Sequence, residues 1–319
     1  MALIARTRKR ARSQHLLRSQ AFSHAQARSQ TMPFGRMPLL CSCERMKIKR
    51  ANERFRIVSL APSATSILCA IGAKNALVGV TKWCAQVAPV DGLPQLGDCW
   101  HMDAVEDILA LHPTLVVGSV PYKQETVAKL LEQPLNFLAM NPRSLADIDE
   151  NIHLLGKIVA RPAQAEKLVQ QMRREFAAIA RQARTIAHKV SVYSEAWPNP
   201  RISSPPWVAE LVKIAGGNML VPAGEKVTDE QVAEAKPDVI VLAWAATGAK
   251  ADPLKSYKVE TWQDLPAIRN KRVHVVSDEL LNTPGPPLIE GARELFRLLH
   301  LSSAKRNSAQ SVVRSRRSR

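Results

Sequence analysis

The chain has 319 residues, enough for one to three domains with a sizeable core, and its 46% apolar fraction is ordinary for a soluble globular protein. Its formal net charge of +17 is not ordinary, but the excess sits at the ends: residues 1–56 carry 14 Lys/Arg against Glu44 and Glu53, and residues 301–319 carry 6 with no acid. The body between holds 25 basic and 26 acidic residues, so its composition gives no basic patch for nucleic acid, and no run of about 18 apolar residues offers a membrane span.

Residues 1–55 are rich in Arg, Ser, Gln and Ala, lack alternation or a sustained helical stripe, and read as a basic disordered leader. As an export signal the leader fails, because Met37-Pro-Leu-Leu-Cys41 is shorter than the roughly 7–15 apolar residues an h-region needs. Leu40 is also bulkier than the residue a lipoprotein site wants before its cysteine. An Arg-rich, acid-poor leader also fits a transit peptide, but the simplest reading is a non-native upstream extension, with Met46 as a candidate start. Five cysteines make an odd count and no disulfide framework. Cys84, Cys99 and His101 are a conceivable zinc set, but without a CxxC pair no metal site is assigned.

Ordered structure is expected from Arg56. Ile57–Leu60 reads as a strand, Pro62 as a turn, and Ser63 or Thr65 as the cap of a helix stopping at Gly72. The strand Leu77–Val80, helix Glu106–Leu111, strand Thr114–Val117, helix Lys123–Leu131 and extended Asn136–Ala139 complete an N-terminal α/β lobe over residues 56–141. Residues 142–188 are a helical connection. Ser144 and Asp147 have capping-box spacing, and Pro162 restarts a helix whose apolar stripe runs through Ala187, 26 residues or roughly 40 Å. A helix of that length acts as a strut between lobes.

The second lobe, residues 189–300, opens with the strand Val190–Ser194 and a helix from Pro206 to Ala215. It continues through Glu230–Leu242, a Trp262-containing loop and the strand Val273–Val276, and closes with a helix from Pro287 to His300. Residues 301–319 read as a mobile basic tail. Two stretches in the two lobes nearly coincide: Glu106-Asp-Ile-Leu-Ala-Leu-His-Pro113-Thr-Leu-Val-Val and Glu230-Gln-Val-Ala-Glu-Ala-Lys-Pro237-Asp-Val-Ile-Val. In each, proline lacks the next helical donor and a β-branched run suits a strand covered on both faces. The repeat predicts two similar α/β lobes with mostly parallel sheets and a cleft between them.

Trp83, Trp197 and Trp244 each follow a predicted strand, and Tyr122 lies just beyond another. Ligands of open parallel sheets bind outside the carboxyl ends of strands, so these rings are candidates for a mouth that takes a large, flat, partly apolar ligand. Rim-packing core aromatics are the alternative. Asp278 and Glu279 follow the last strand and are candidates for a ligand's polar edge or simply solvated loop acids. No GxGxxG, Walker A, HExxH or GxSxG sequence is present, and no catalytic residue is assigned.

Arg56-Ile-Val-Ser-Leu-Ala-Pro-Ser-Ala-Thr65, Val78-Gly-Val80 and the Leu109-Ala-Leu-His-Pro-Thr-Leu-Val116 unit together resemble the helical-backbone substrate-binding proteins of ABC importers for cobalamin and iron-siderophores. The likeness covers about residues 56–300. Through Gly79-Val80-Thr-Lys-Trp83 and Trp100 it is most similar to cobalamin-binding members. That resemblance implies Trp83 and Trp100 against the corrinoid, Asp278 as an acidic cleft residue, and Glu106 and Glu230, one per lobe, as docking acids for the permease dimer. Two equivalent acids on pseudo-symmetric lobes suit a two-fold partner, although helix N-termini favour acids for their own reasons.

The implied protein is a monomer without catalysis or cofactor, its corrinoid being cargo, located in the periplasm or cell envelope. A cytoplasmic location stays open because this chain shows no recognisable signal peptide. Two alternatives stand beside it: an iron-siderophore or haem receptor using cations such as Arg201 or Lys82, and a cytosolic corrinoid- or nucleotide-modifying enzyme.

Overall fold

The computed structural model describes residues 55–102, 104–185 and 189–300. The leader through residue 54, the tail from 301 and the expected end of the long helix at 186–188 lie outside them.

The first sheet contains β1 (Ile57–Ser59), β2 (Leu77–Thr81), β3 (Gln95–Leu96), β4 (Leu115–Ser119) and β5 (Phe137–Met140), all parallel in the order β3-β2-β1-β4-β5. Its helices are α1 (Pro62–Ala70), α2 (Glu106–Ala110) and α3 (Gln124–Leu131). A helical pair follows, α4 (Leu145–Ile158) and α5 (Pro162–Ala183).

The second sheet contains β6 (Val190–Pro198), β7 (Arg201–Ser203), β8 (Gly217–Met219), β9 (Val239–Leu242) and β10 (Val273–Val275). Its order is β10-β9-β6-β7 with β8 also on β6, and only β7 runs antiparallel. Around it lie α6 (Pro206–Ile214), α7 (Asp229–Ala235), α8 (Leu254–Tyr257), α9 (Pro266–Arg269), α10 (Asp278–Asn282) and α11 (288–300).

Strand alternation divides the core into three. Ile57 and Val117 of the first sheet and Val192, Val239 and Val241 of the second point into one shared cluster with α1, α5 and α11. Their neighbours Val58 and Val116 face an outer cluster of the first lobe, and Tyr193, Ile240 and Leu242 face an outer cluster of the second. Both sheets are therefore covered on both faces, which is why their strands carry β-branched runs rather than alternating polar residues.

The duplicated unit is also a backbone repeat. His112 and Lys236, each just before its proline, adopt φ of +45° and +47°. Proline's ring disfavours the right-handed helical conformation in the preceding residue, so each chain leaves its helix through a left-handed residue and enters the strand.

Three local expectations are corrected. Neither Ser63 nor Thr65 caps α1, whose N-cap is Ala61 with Pro62 in the first turn. Thr65 Oγ1 instead lies 2.8 Å from Ser59 Oγ and 3.0 Å from Cys84 Sγ. The long helix stops at Ala183 after 22 residues, about 33 Å. The Trp262 loop contains a short 3-10 turn, Glu260–Trp262, with Trp262 fully buried. Ser144 does cap α4, accepting from Asp147 N–H at 3.1 Å, while the Asp147 carboxylate accepts from Arg143 N–H at 2.7 Å.

The connection is a hairpin: α4 packs on α1 of the first lobe, and α5 packs on α4 and on α6 of the second. Gly156 lets the two arms touch, since a Cβ there would lie 2.4 Å from Ala165 Cβ. Leu145 N–H donates to Glu210 of α6 at 3.2 Å, and Gly285 of the second lobe sits against Ser66 and Ile67 of α1. The lobes thus share one close-packed interior as well as a strut.

Candidate functional site

In the first lobe the carboxyl ends of the parallel strands carry three of the expected aromatics. Trp83 lies in the 3-10 turn Lys82–Gln86 after β2, half-buried, with Lys82 Nζ 4.7 Å from its ring centroid. Its indole N–H donates to Asp98 Oδ2 at 3.1 Å. The other Asp98 oxygen accepts from the backbone of Trp100 and His101, at 2.8 and 2.7 Å. One carboxylate therefore fixes both tryptophan segments, and it leaves the Trp100 ring 47% exposed. Tyr122, beyond β4, spends its hydroxyl on Met140 O at 2.9 Å and meets Phe137 edge-on. Burial raises its pKa above the usual tyrosine value.

In the second lobe the aromatics differ in kind. Trp197, at the end of β6, is 41% exposed, its indole N–H held by Asn199 O at 2.9 Å. Trp244, two residues past β9, is only 5% exposed and belongs to the outer core, with Lys255 Nζ 5.3 Å from its centroid. So little of Trp244 reaches the surface that any share in a ligand wall is small.

The reason for that burial is Glu195, a fully buried acid on β6. Its Oε1 accepts from Trp244 Nε1 at 2.7 Å, and its Oε2 from Tyr193 OH at 2.7 Å and Arg201 Nη1 at 2.9 Å. An unpaired charge there would be costly, and these three donors offset the loss of water. Arg201 also pairs with Asp229 and lies 4.3 Å over the Trp262 ring. Burial pulls the guanidinium pKa down, but Asp229 and Glu195 outweigh it and hold it above its ordinary value. Arg201 is therefore engaged within the protein, contrary to its reading as a cation awaiting an anionic chelate.

Neither the Glu195 knot nor Asp98 was singled out from sequence. A signal existed for the first: Glu195 stands two residues from Tyr193, on the strand face that alternation assigns to the core.

Asp278 opens α10 after β10. Its carboxylate accepts from Ala246 N at 2.9 Å and Gly248 N at 2.6 Å, pinning the loop after β9. Burial raises its pKa, and those two N–H groups oppose the rise.

Segments of both lobes line a crevice of about 550 Å³. Ser66, Cys69, Lys74 and Gln86–Pro89 form one wall, and Glu279, Leu280, Pro286 and Pro287 the other. The turn that carries Trp83 supplies Gln86, and the helix that begins at Asp278 supplies Glu279. None of the six candidate ligand residues lines the crevice.

Glu106 and Glu230 occupy the first turns of α2 and α7, and both are exposed. Helix α7 is held by a full capping box, Thr228 Oγ1 accepting from Gln231 N and Gln231 Oε1 from Thr228 N. Hydrogen bonds from its own backbone N–H and from Thr228 hold the Glu230 carboxyl below its ordinary value, so it is an anion at neutral pH. Cys84 and Cys99 lie in different core clusters, and burial pushes the Cys99 thiol up to about 12. Among the described residues no cluster of three His, Cys, Asp or Glu is arranged to hold a metal, and no helix is long and apolar enough to cross a membrane.

Two parallel-sheet lobes, a helical connection and aromatics at the strand ends are now in place, and the sequence model of the periplasmic binding protein family matches residues 57–280. The chain belongs to that family. An uncharacterized ABC transporter substrate-binding lipoprotein of Bacillus subtilis, YvrC, is 27% identical over 267 residues, covering 80% of this chain and 82% of its own. A vitamin B12-binding protein of Vibrio parahaemolyticus is 26% identical, with 80% and 93% covered.

Among solved structures, the periplasmic heme-binding protein RhuT of Roseiflexus superposes with a TM-score of 0.65 at 26% identity, over 77% of this chain and 97% of its own. The periplasmic vitamin B12 binding protein BtuF of Vibrio cholerae shares the fold, with a TM-score of 0.63 at 23% identity over 78% and 98%. The protein is thus a two-lobed α/β substrate-binding protein of the ABC-transporter type, not an enzyme, which removes the catalytic alternative.

Proposed function

We propose that this periplasmic binding protein captures cobalamin or a related corrinoid between its lobes and, as a monomer in the periplasm or at the cell surface, delivers it to an ABC permease. Ligand contact is assigned to Trp83, Trp100, Tyr122, Trp197 and Asp278, with Trp244 backing the second lobe's wall. Docking is assigned to Glu106 and Glu230. The observation that carries this reading is the placement of aromatic side chains at the carboxyl ends of strands in both lobes, two of them, Trp100 and Trp197, with much of the ring exposed. Corrinoid is preferred because relatives named as vitamin B12-binding match 80% of the chain. The corrinoid is cargo, and no resident cofactor is invoked.

A haem-type ligand is the second reading. It is favoured by Lys82 and Lys255, each lying over a strand-end indole and able to meet a carboxylate, and by the likeness to RhuT. Calorimetric titration with cyanocobalamin, cobinamide and haemin separates the two. Corrinoid binding with no response to haemin is the expected result; haemin binding that weakens with salt favours the second reading; no heat with any of the three rejects both. For docking, charge reversal at Glu106 and Glu230 is expected to abolish binding to the cognate permease while ligand affinity stays unchanged.

A further inference from the structure

The polar groups around Arg201 join two parts of the second lobe that the proposed function uses separately. Trp244, at the strand-end mouth, is held by Glu195 Oε1 at 2.7 Å. Glu195 Oε2 accepts from Arg201 Nη1 at 2.9 Å. The Arg201 Nε donates to Asp229, the first residue of α7 and the neighbour of Glu230. The same helix start is tied twice more: Trp262 Nε1 donates to Asp229 O at 2.9 Å, and Val227 N–H donates to Arg201 O at 3.1 Å. Arg201 lies against the Trp262 ring, its side chain 16% exposed, so it has a packed face as well as two carboxylate partners.

We propose that Arg201 is a positioning residue that locks the first turn of α7 to the strand end holding Trp244, so that the ligand mouth and the docking acid of the second lobe move as one body. The inference rests on the assignment of Glu230 to docking and of the strand ends to ligand. Its physical content is a continuous chain of charge-assisted hydrogen bonds, indole to carboxylate to guanidinium to carboxylate, running from the fully buried Glu195 out to Asp229, whose side chain is 40% exposed. The first lobe has a shorter counterpart. Asp98 holds the Trp83 indole with one oxygen and the Trp100 and His101 backbone with the other, on the segment that runs on toward α2 and Glu106.

Hydrogen exchange of the full chain tests the lock without ligand or permease. Trp244→Phe removes the indole N–H while keeping an aromatic ring, and Asp229→Ala removes the acceptor at the far end while leaving the buried Glu195–Arg201 pair intact. Trp244→Phe is expected to speed exchange of the Gln231 and Val232 amides about two- to tenfold, the factor for losing one hydrogen bond, although Trp244 has no hydrogen bond to α7. Asp229→Ala should do the same, and the double variant should exchange no faster than the faster single one, since both cut one chain. A Trp244→Phe protein with unaltered exchange in α7, or a double variant in which the two factors multiply, overturns the proposal. Glu230→Gln in a permease-binding assay tests the docking assignment on its own, so the two failures are distinguishable.

Discussion

At the scale of single residues, the tryptophans range from exposed to fully buried, and the effects of substituting them should differ accordingly. Trp100 and Trp197 are 47% and 41% exposed, so replacing either with Ala should cost only about 1–2 kcal/mol of folding stability. The same changes should weaken ligand at least about fivefold, because a large aromatic contact in a binding wall contributes on the order of 1 kcal/mol or more. Trp262→Ala should instead cost about 3–5 kcal/mol, since it empties a fully buried site and strips Arg201 of its ring. Paired urea titrations and calorimetry read both quantities. Equal ligand affinity in Trp100→Ala, Trp197→Ala and the parent would remove these side chains from the site.

Buried proton donors give a second residue-level expectation. Burial raises the tyrosine pKa values of Tyr122 and, with help from the adjacent Glu195 charge, Tyr193 above their usual 10.0, and raises Cys84 and Cys99 above 9.0. Between the ordinary and the raised value the unfolded chain has released a proton that the folded chain keeps. Folding then binds protons, and stability falls as pH rises. The urea midpoint should therefore decline from about pH 9 upward, and Tyr122→Phe should decline less. A midpoint that stays level from about pH 8 to 10.5 contradicts these environments.

Among the elements, the duplicated helix–proline–strand unit was legible because its signals are local: a missing donor, a restricted pre-proline residue and a β-branched run. The Ser144 cap was legible for the same reason. The α1 cap was misread because Pro62 can start a helix without a side-chain cap, which released Thr65 to bond Ser59 and Cys84 in the core. The site was legible only in part. Aromatics after strands are visible in sequence, but whether a ring is free or bound inside depends on partners far along the chain, as Trp244 and Glu195 show across 49 positions.

The helical hairpin carries a prediction of its own. Gly156→Ala would set a Cβ 2.4 Å from Ala165 Cβ, between two backbone-anchored atoms that cannot rotate away. Overpacking should outweigh the alanine's better helix propensity and cost about 1–2 kcal/mol net. Thermal unfolding checks this, and a gain in stability would mean that α4 and α5 are free to separate.

For the whole molecule, the shared interior decides how the lobes behave. One continuous apolar cluster takes in a face of each sheet together with α1, α5 and α11, and α4 is pinned to α6 through Leu145 and Glu210. Hinge closure would have to shear that packing, so ligand capture should move the lobes little. Small motion also suits the proposed docking of Glu106 and Glu230, one per lobe, because their spacing would then stay fixed for a two-fold partner. The most direct measurement is a crystal structure of the chain saturated with cyanocobalamin. The ligand is expected between the lobes, in contact with Trp83, Trp100 and Trp197, with the two sheets superposing on their present arrangement to about 1 Å. A corrinoid bound elsewhere on the molecule, clear of those tryptophans, or lobes swung far from this arrangement, would contradict it.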